Sequence, residues 1–343
     1  MKNIVSYAFI VMVLFFATSC EKIVMKPNPE TDNISLYNEY WRLLDEKYAM
    51  WKNPDKMIDK SAVRSYTMGL VTEDLTKDSL FGVFEYIVHQ FKDGHTYIEG
   101  DNNTPRLGFY DIEAVGEKNF SQDIVDNVYL KDDFKAIGAE KSMKYKLIDN
   151  GNIGYIEIRS WLDEYTNDEM DEVLNYFSST KGIIFDVREN GGGNPFMANF
   201  VARRFADKEY FLGTEYFKTG PGENDFSPTK LYNRPSDFVQ YTKPIMVLTN
   251  HYCFSATTTF IYYLNPLPNV TFIGSRTGGG SGSTADGYLA NGWHWQMSTS
   301  EFIDLEGHHL DNGFDPDIYQ ALDYTDISKD ELIERAIIEI NNK

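Results

Sequence analysis

Cysteine is nearly absent: only Cys20 and Cys253 occur in 343 residues. With Cys20 read below as a lipid-bearing residue, no intramolecular disulfide can form, so a core alone must hold the fold. Basic residues are also scarce. Lys and Arg total 32 against 52 Asp and Glu, a net charge of -20. Phosphate backbones and anionic lipid surfaces both need a basic face, so the reading is of no nucleic-acid partner and no electrostatic hold on a membrane. Long apolar runs are missing except for one, Ile4 to Ala17, interrupted only by Ser6. A spanning helix needs about 20 apolar residues. The run is instead the right length for a signal-peptide core, with Lys2 as its positive start. The six histidines form no zinc-ligand spacing such as HExxH, so the expectation is no metal and no cofactor.

What is present divides the chain by character. Residues 1–19 read as a signal peptide and 20–33, with two prolines, as a tether. Residues 34–100 carry helical periodicity at Leu36, Tyr40, Leu43 and Leu44, and again at Leu80, Val83, Phe84, Ile87 and Phe91. This predicts a helical N-terminal domain. Residues 101–150 are polar, with short β-like pieces such as NVYL and YKLI, and read as a connecting region. From 151 to 343, apolar β-branched runs (IGYIEI, GIIFDV, PIMVLT) alternate with helical patterns over 167–179 and 196–206. That alternation predicts an α/β domain with a largely buried sheet.

Five segments could carry chemistry. In 185–194, FDVRENGGGN, a strand runs into three glycines whose N–H groups could face an anion or oxyanion, although a plain turn fits too. In 247–264, Ser255 stands between a strand and a buried helix. It is placed either as a nucleophile, with the Ala256 N–H beside it, or as a simple N-cap. GSRTGGGSG (274–282) is a second glycine-dense loop. His95 follows a glycine helix stop in DGHT (93–96). DNGFDPDI (311–318) is a turn-rich strand exit.

In order and spacing these segments resemble the tail-specific (C-terminal processing) serine peptidases and their tricorn-like relatives, and most narrowly the Bacteroidetes-type lipoprotein members. Ala17-Thr18-Ser19-Cys20 is similar to a lipobox, in which the cysteine is acylated. The resemblance implies a crotonase/ClpP-like α/β catalytic core preceded by the helical N-terminal domain. It aligns Ser255 with the nucleophile and the N–H groups of Gly192 and Ala256 with the oxyanion hole. The best-known members take a lysine base from a position that here is Gly280, and no lysine lies between Ser255 and Lys329. Tricorn-like relatives use a histidine, which here is His95. Imidazole accepts a proton near neutrality without desolvation. Asp311 is placed to orient it, with Asp93 as a competitor. A standard PDZ domain is not recognisable in 101–150. The resemblance thus implies a serine endopeptidase of the cell envelope, lipid-anchored through Cys20 and acting on a peptide or protein bound in extended form. The alternative is a catalytically inactive peptide-binding lipoprotein on the same scaffold.

Overall fold

The computed structural model describes residues 30–56, 58–100, 107–108 and 118–343. The signal segment, Cys20 and most of the tether lie outside the described residues. So does most of 101–117.

The N-terminal layer is three helices, α1 (Asn33–Lys47), α2 (Lys60–Met68) and α3 (Lys77–His89). Each starts where a side chain satisfies a free first-turn N–H: Asp32 accepts from Ser35, Asp59 from Ala62 and Thr76 from Ser79. The periodic residues of α1 and α3 are buried together, with Tyr40, Trp41, Phe84 and Ile87 fully enclosed. The layer has no separate core. Trp293, Trp295 and Met297, from far along the chain, complete it.

Chain reversal explains this. Strand β1 (Tyr97–Glu99) pairs antiparallel with β12 (His294–Ser298), Tyr97 opposite Gln296. With β2 (Leu107–Gly108) and β11 (Thr284–Tyr288) they form a four-stranded sheet.

The main sheet has seven strands: β3 (Lys135–Ile137), β4 (Met143–Ile148), β5 (Ile153–Ile158), β6 (Gly182–Asp186), β9 (Ile245–Thr249), β10 (Val270–Gly274) and β14 (Ile318–Tyr319). Their spatial order is 14-10-9-6-5-4-3, parallel from β14 to β5 and antiparallel at β4 and β3. Helices α4 (Asn167–Tyr176), α5 (Pro195–Ala202) and α6 (Ala256–Leu264) cover one face, against Ile156, Ile158, Ile183 and Phe185. Helix α7 (Glu331–Asn341) covers the other, against Ile153, Tyr155 and Ile184. Alternate side chains of one strand point to opposite faces, so covering both makes each strand an unbroken apolar run. A three-stranded antiparallel sheet, β13 (Ser300–Asp304), β7 (Tyr210–Lys218) and β8 (Phe226–Asn233), flanks the core.

Two sequence expectations are corrected. The sheet does not begin at residue 151. It reaches back to β3 and β4, inside the stretch read as a connector. β4 hides Met143 and Tyr145 and turns lysines outward, a two-residue alternation that looks polar overall. NVYL (127–130) is not extended but lies in a helical segment, Val125–Leu130, that packs Val125 and Leu130 under the sheet. A four-residue apolar run does not distinguish strand from helix.

Candidate active site

Ser255 sits where β9 hands over to α6. It adopts φ 58° and ψ −122°, a backbone region that L-residues rarely enter. Such a residue costs about 1–3 kcal/mol and is held only by its surroundings. Here they are explicit. The Ser255 N–H donates to the Gly279 carbonyl (2.9 Å), and the Phe254 N–H donates to the Asn190 carbonyl (3.1 Å). The Thr258 hydroxyl donates to the same Gly279 oxygen (2.6 Å). Two glycine loops thus clamp the serine between them. Gly192 must be glycine, because a Cβ there would lie 2.6 Å from the Ser255 Cβ.

The first loop is anchored beneath by buried charges. Arg188 donates to Asp186 (2.7 Å) and to Asp330 (2.9 Å), all three fully enclosed. Burial alone would raise the Asp186 carboxyl, but Arg159 and Arg188 hold it well below the usual carboxylate range. Asp330 also caps α7 by accepting from Leu332 and Ile333. The strand leading to the glycines is therefore tied to the last helix.

His95 arrives from the other half of the chain. The β1–β12 pairing carries its loop in, and the Gln296 amide fixes it by donating to the His95 carbonyl (2.9 Å). Asp93 shapes the turn. Its oxygens accept from the His95 N–H (2.9 Å) and the Thr96 hydroxyl (2.7 Å). The imidazole Nε2 lies 3.0 Å from Ser255 Oγ, although the residues are 160 apart in sequence. Phe254 packs against the ring, 4.8 Å between centroids.

On the far side of the imidazole, Nδ1 is buried without a hydrogen-bond partner, and so is Asp311 Oδ1. One ring nitrogen of His95 and one oxygen each of Asp93 and Asp311 lie within 4.8 Å of one another. The other oxygen of Asp311 is paired with the Lys56 ammonium, which also donates to the Lys92 carbonyl (2.7 Å). The Lys56 and Asp311 side chains are 7% and 1% exposed. Burial raises the Asp311 carboxyl, Lys56 opposes that and Asp93 adds to it, leaving it above its ordinary value. For Lys56, burial pushes down, but Asp311 and Asp93 outweigh it and hold the ammonium raised. Lys56 is absent from the residues picked out of the sequence. It follows a polar turn (Asn53-Pro54-Asp55) and has no motif around it.

The same three residues are the cluster that could offer ligand atoms to a metal among the described residues. A dication there would face the Lys56 ammonium held on the other oxygen of Asp311 and an Asp93 carboxylate whose oxygens already accept two hydrogen bonds. The donor set fits an oriented imidazole better.

The expected oxyanion donors differ in state. The Ala256 N–H is in the first turn of α6, where no intrahelical acceptor exists. The Gly192 N–H is already donated, to Asn190 Oδ1 (3.0 Å). A short polar side chain two residues upstream folds back onto it, which a run of glycines does not reveal. Gly280, where the better-known relatives carry lysine, has φ +70°, and a Cβ there would lie 2.2 Å from the Phe254 ring. Beside Ser255 opens a cleft of about 700 Å³, lined by Phe217, Leu231, Tyr263, Phe302 and the 280–283 loop among others.

A hydroxyl on a strained strand-to-helix turn, an imidazole within proton-transfer distance and an adjoining cleft are the marks of a serine-type hydrolase. The comparisons narrow this. A family model described as Peptidase family S41 matches residues 152–320. A candidate peptidase from Parabacteroides merdae ATCC 43184 is 33% identical, with a TM-score of 0.83 over 91% of this chain and 97% of that one. The tricorn protease of Thermoplasma volcanium is 28% identical over 252 residues, 70% of this chain but 21% of its own length, so the chain spans about a fifth of that curated relative. Mature CPAF complexed with lactacystin shares the fold, at 13% identity and a TM-score of 0.65 over 91% of this chain and 99% of that one. The chain belongs to peptidase family S41, and so to the serine-type peptidases.

Proposed function

We propose that this protein is a serine endopeptidase of the cell envelope, held to the membrane by a lipid on Cys20, with Ser255 as nucleophile and His95 as general base. The 3.0 Å approach of Nε2 to Oγ is the observation that carries the reading. It falls within the roughly 2.6–3.2 Å that proton transfer requires. His95 takes the hydroxyl proton as Oγ attacks the peptide carbonyl. The same imidazole then protonates the leaving amine, and water releases the acyl group.

Asp311 is the orienting acid. The imidazolium formed during attack needs a buried acceptor at Nδ1, and Asp311, whose Oδ1 is buried without a partner in the same cluster, offers one. Asp93 is spent on its own turn. The developing oxyanion is received by the Ala256 N–H and by the Gly192 N–H, which the substrate oxygen must share with Asn190. Losing one such donor typically costs about 10²–10³ in rate. The substrate binds extended, adding main-chain hydrogen bonds along the glycine loops.

A fluorophosphonate probe tests the chemistry. The wild type is expected to be labelled at Ser255, and Ser255→Ala and His95→Ala to be unlabelled. A wild type that binds peptides but is never labelled between pH 6 and 9 overturns the enzyme reading in favour of the inactive peptide-binding lipoprotein. The anchor is tested by metabolic palmitate incorporation, which Cys20→Ala should abolish together with membrane fractionation. Retention of both sinks it.

A further inference from the structure

The cleft beside Ser255 contains a buried acid that no cation meets. Glu215, on β7, lines it with 6% exposure. Its Oε1 accepts from the hydroxyls of Ser283 (3.1 Å) and Ser300 (2.5 Å). No Lys, Arg or His nitrogen approaches the carboxylate to salt-bridge distance among the described residues. Buried Glu157, Asp186, Asp311 and Asp330 each have such a partner. Burial raises the Glu215 carboxyl above its ordinary value, the hydroxyls only partly offsetting it. An uncompensated buried acid is costly, and two neutral donors do not neutralise it.

The cleft's own cations are engaged elsewhere. Arg203 donates to the carbonyls of Arg234 (3.0 Å) and Pro235 (3.2 Å), and Arg234 pairs with Glu209. Lys230 is exposed. The cleft that holds both Ser255 and Glu215 also takes Phe217, Leu231 and Phe302 into its lining. A cleft that offers apolar side chains together with a buried acid matches a long methylene stem tipped by a cation.

We propose that Glu215 is a specificity residue, receiving the lysine or arginine side chain of the substrate residue whose carbonyl Ser255 attacks. This rests on the peptidase reading above and adds a substrate class to it. The charged tip replaces the missing counter-ion, while its stem covers the aromatic wall. The energy comes from a charge pair formed in a shielded site, where removing one partner is costly.

The test is a set of fluorogenic peptides differing only at the residue before the cleaved bond: arginine, lysine, norleucine or glutamate. For the wild type, kcat/KM should favour arginine and lysine over norleucine by about 10²-fold, with glutamate poorest. Glu215→Gln keeps an oxygen for the two serine hydroxyls, and its arginine-to-norleucine ratio should fall at least tenfold. Glu215→Lys should reverse the order of arginine and glutamate, with thermal melting to verify the fold of both variants. A wild type that cleaves but shows no basic preference, or a ratio unmoved in Glu215→Gln, overturns the proposal and leaves the peptidase reading intact. A wild type that neither cleaves nor takes the fluorophosphonate removes that reading and this one with it.

Discussion

Lys56→Met should disable the site from behind, although Lys56 touches neither Ser255 nor His95 in any hydrogen bond described above. Its ammonium holds Asp311 inside the fold, with both side chains at least nine-tenths enclosed. Removing one partner of a buried pair commonly costs about 3–5 kcal/mol. Asp311 can escape part of that by taking up a proton. Neutralising an ordinary carboxyl at pH 7 spans about three pH units, so the ceiling is about 4 kcal/mol. We expect a stability loss of about 2–4 kcal/mol at pH 7 by urea unfolding. The sign with pH follows from the direction of the shift. A carboxyl raised in the folded state favours folding at low pH and loses that contribution as pH climbs through its folded value. Without Lys56 it is raised further. The gap between wild type and Lys56→Met should therefore be small near pH 4 and widen towards pH 8. A protonated Asp311 also cannot stabilise imidazolium. The rate of fluorophosphonate labelling should fall by about 10²–10⁴ at pH 7, as for other disabled orienting acids. Its acid limb should move to higher pH, and Lys56→Arg should move the limb back. A stability gap that does not vary with pH, or a labelling profile that superimposes on the wild type, would refute the argument.

Three further outcomes follow from the geometry. Ser255→Gly should be more stable than Ser255→Ala by about 1 kcal/mol in thermal melts, because only glycine adopts the φ of 58° without strain; equal stability would show that the turn stores none. Arg188→Met should cost about 3–5 kcal/mol, since it strands Asp330 in the interior and leaves Asp186 with Arg159 alone. Chemical denaturation would show this, and a loss under 1 kcal/mol would contradict it. Adding Gly280→Lys to His95→Ala should not restore labelling, because a side chain at 280 strikes the Phe254 ring. Recovery of labelling in the double variant would show that the loop can yield.

The parallel strands were legible because burial on both faces leaves uninterrupted apolar runs, and IGYIEI is β5 to the residue. Helix patterns over 167–179 and 196–206 were legible in kind, with their ends shifted by several residues. Ser255, His95 and Asp311 were reachable through motif order, and the fold gathers all three around one imidazole. Lys56 was not, because its role depends wholly on a partner from the distant end of the chain. YKLI was legible as a β-like piece and lies in β4, but its place in the main sheet was not, since outward lysines mask the buried Met143 and Tyr145. Glu215 also escaped notice. A single acid in a strand is ordinary until the second glycine loop encloses it. That the Gly192 N–H already donates to Asn190 was not legible, because glycine content reports backbone freedom and not which acceptor takes the N–H.

The seam between β1 and β12 makes catalytic competence a late event in the life of the polypeptide. A nascent or half-threaded chain exposes its imidazole long before the hydroxyl has been synthesised, and stays chemically mute. Closing such a long loop is slow compared with forming the local helices. In the proposed mechanism hydrolysis therefore waits for the whole fold, since the imidazole and the hydroxyl meet only after the last third of the sequence has come home.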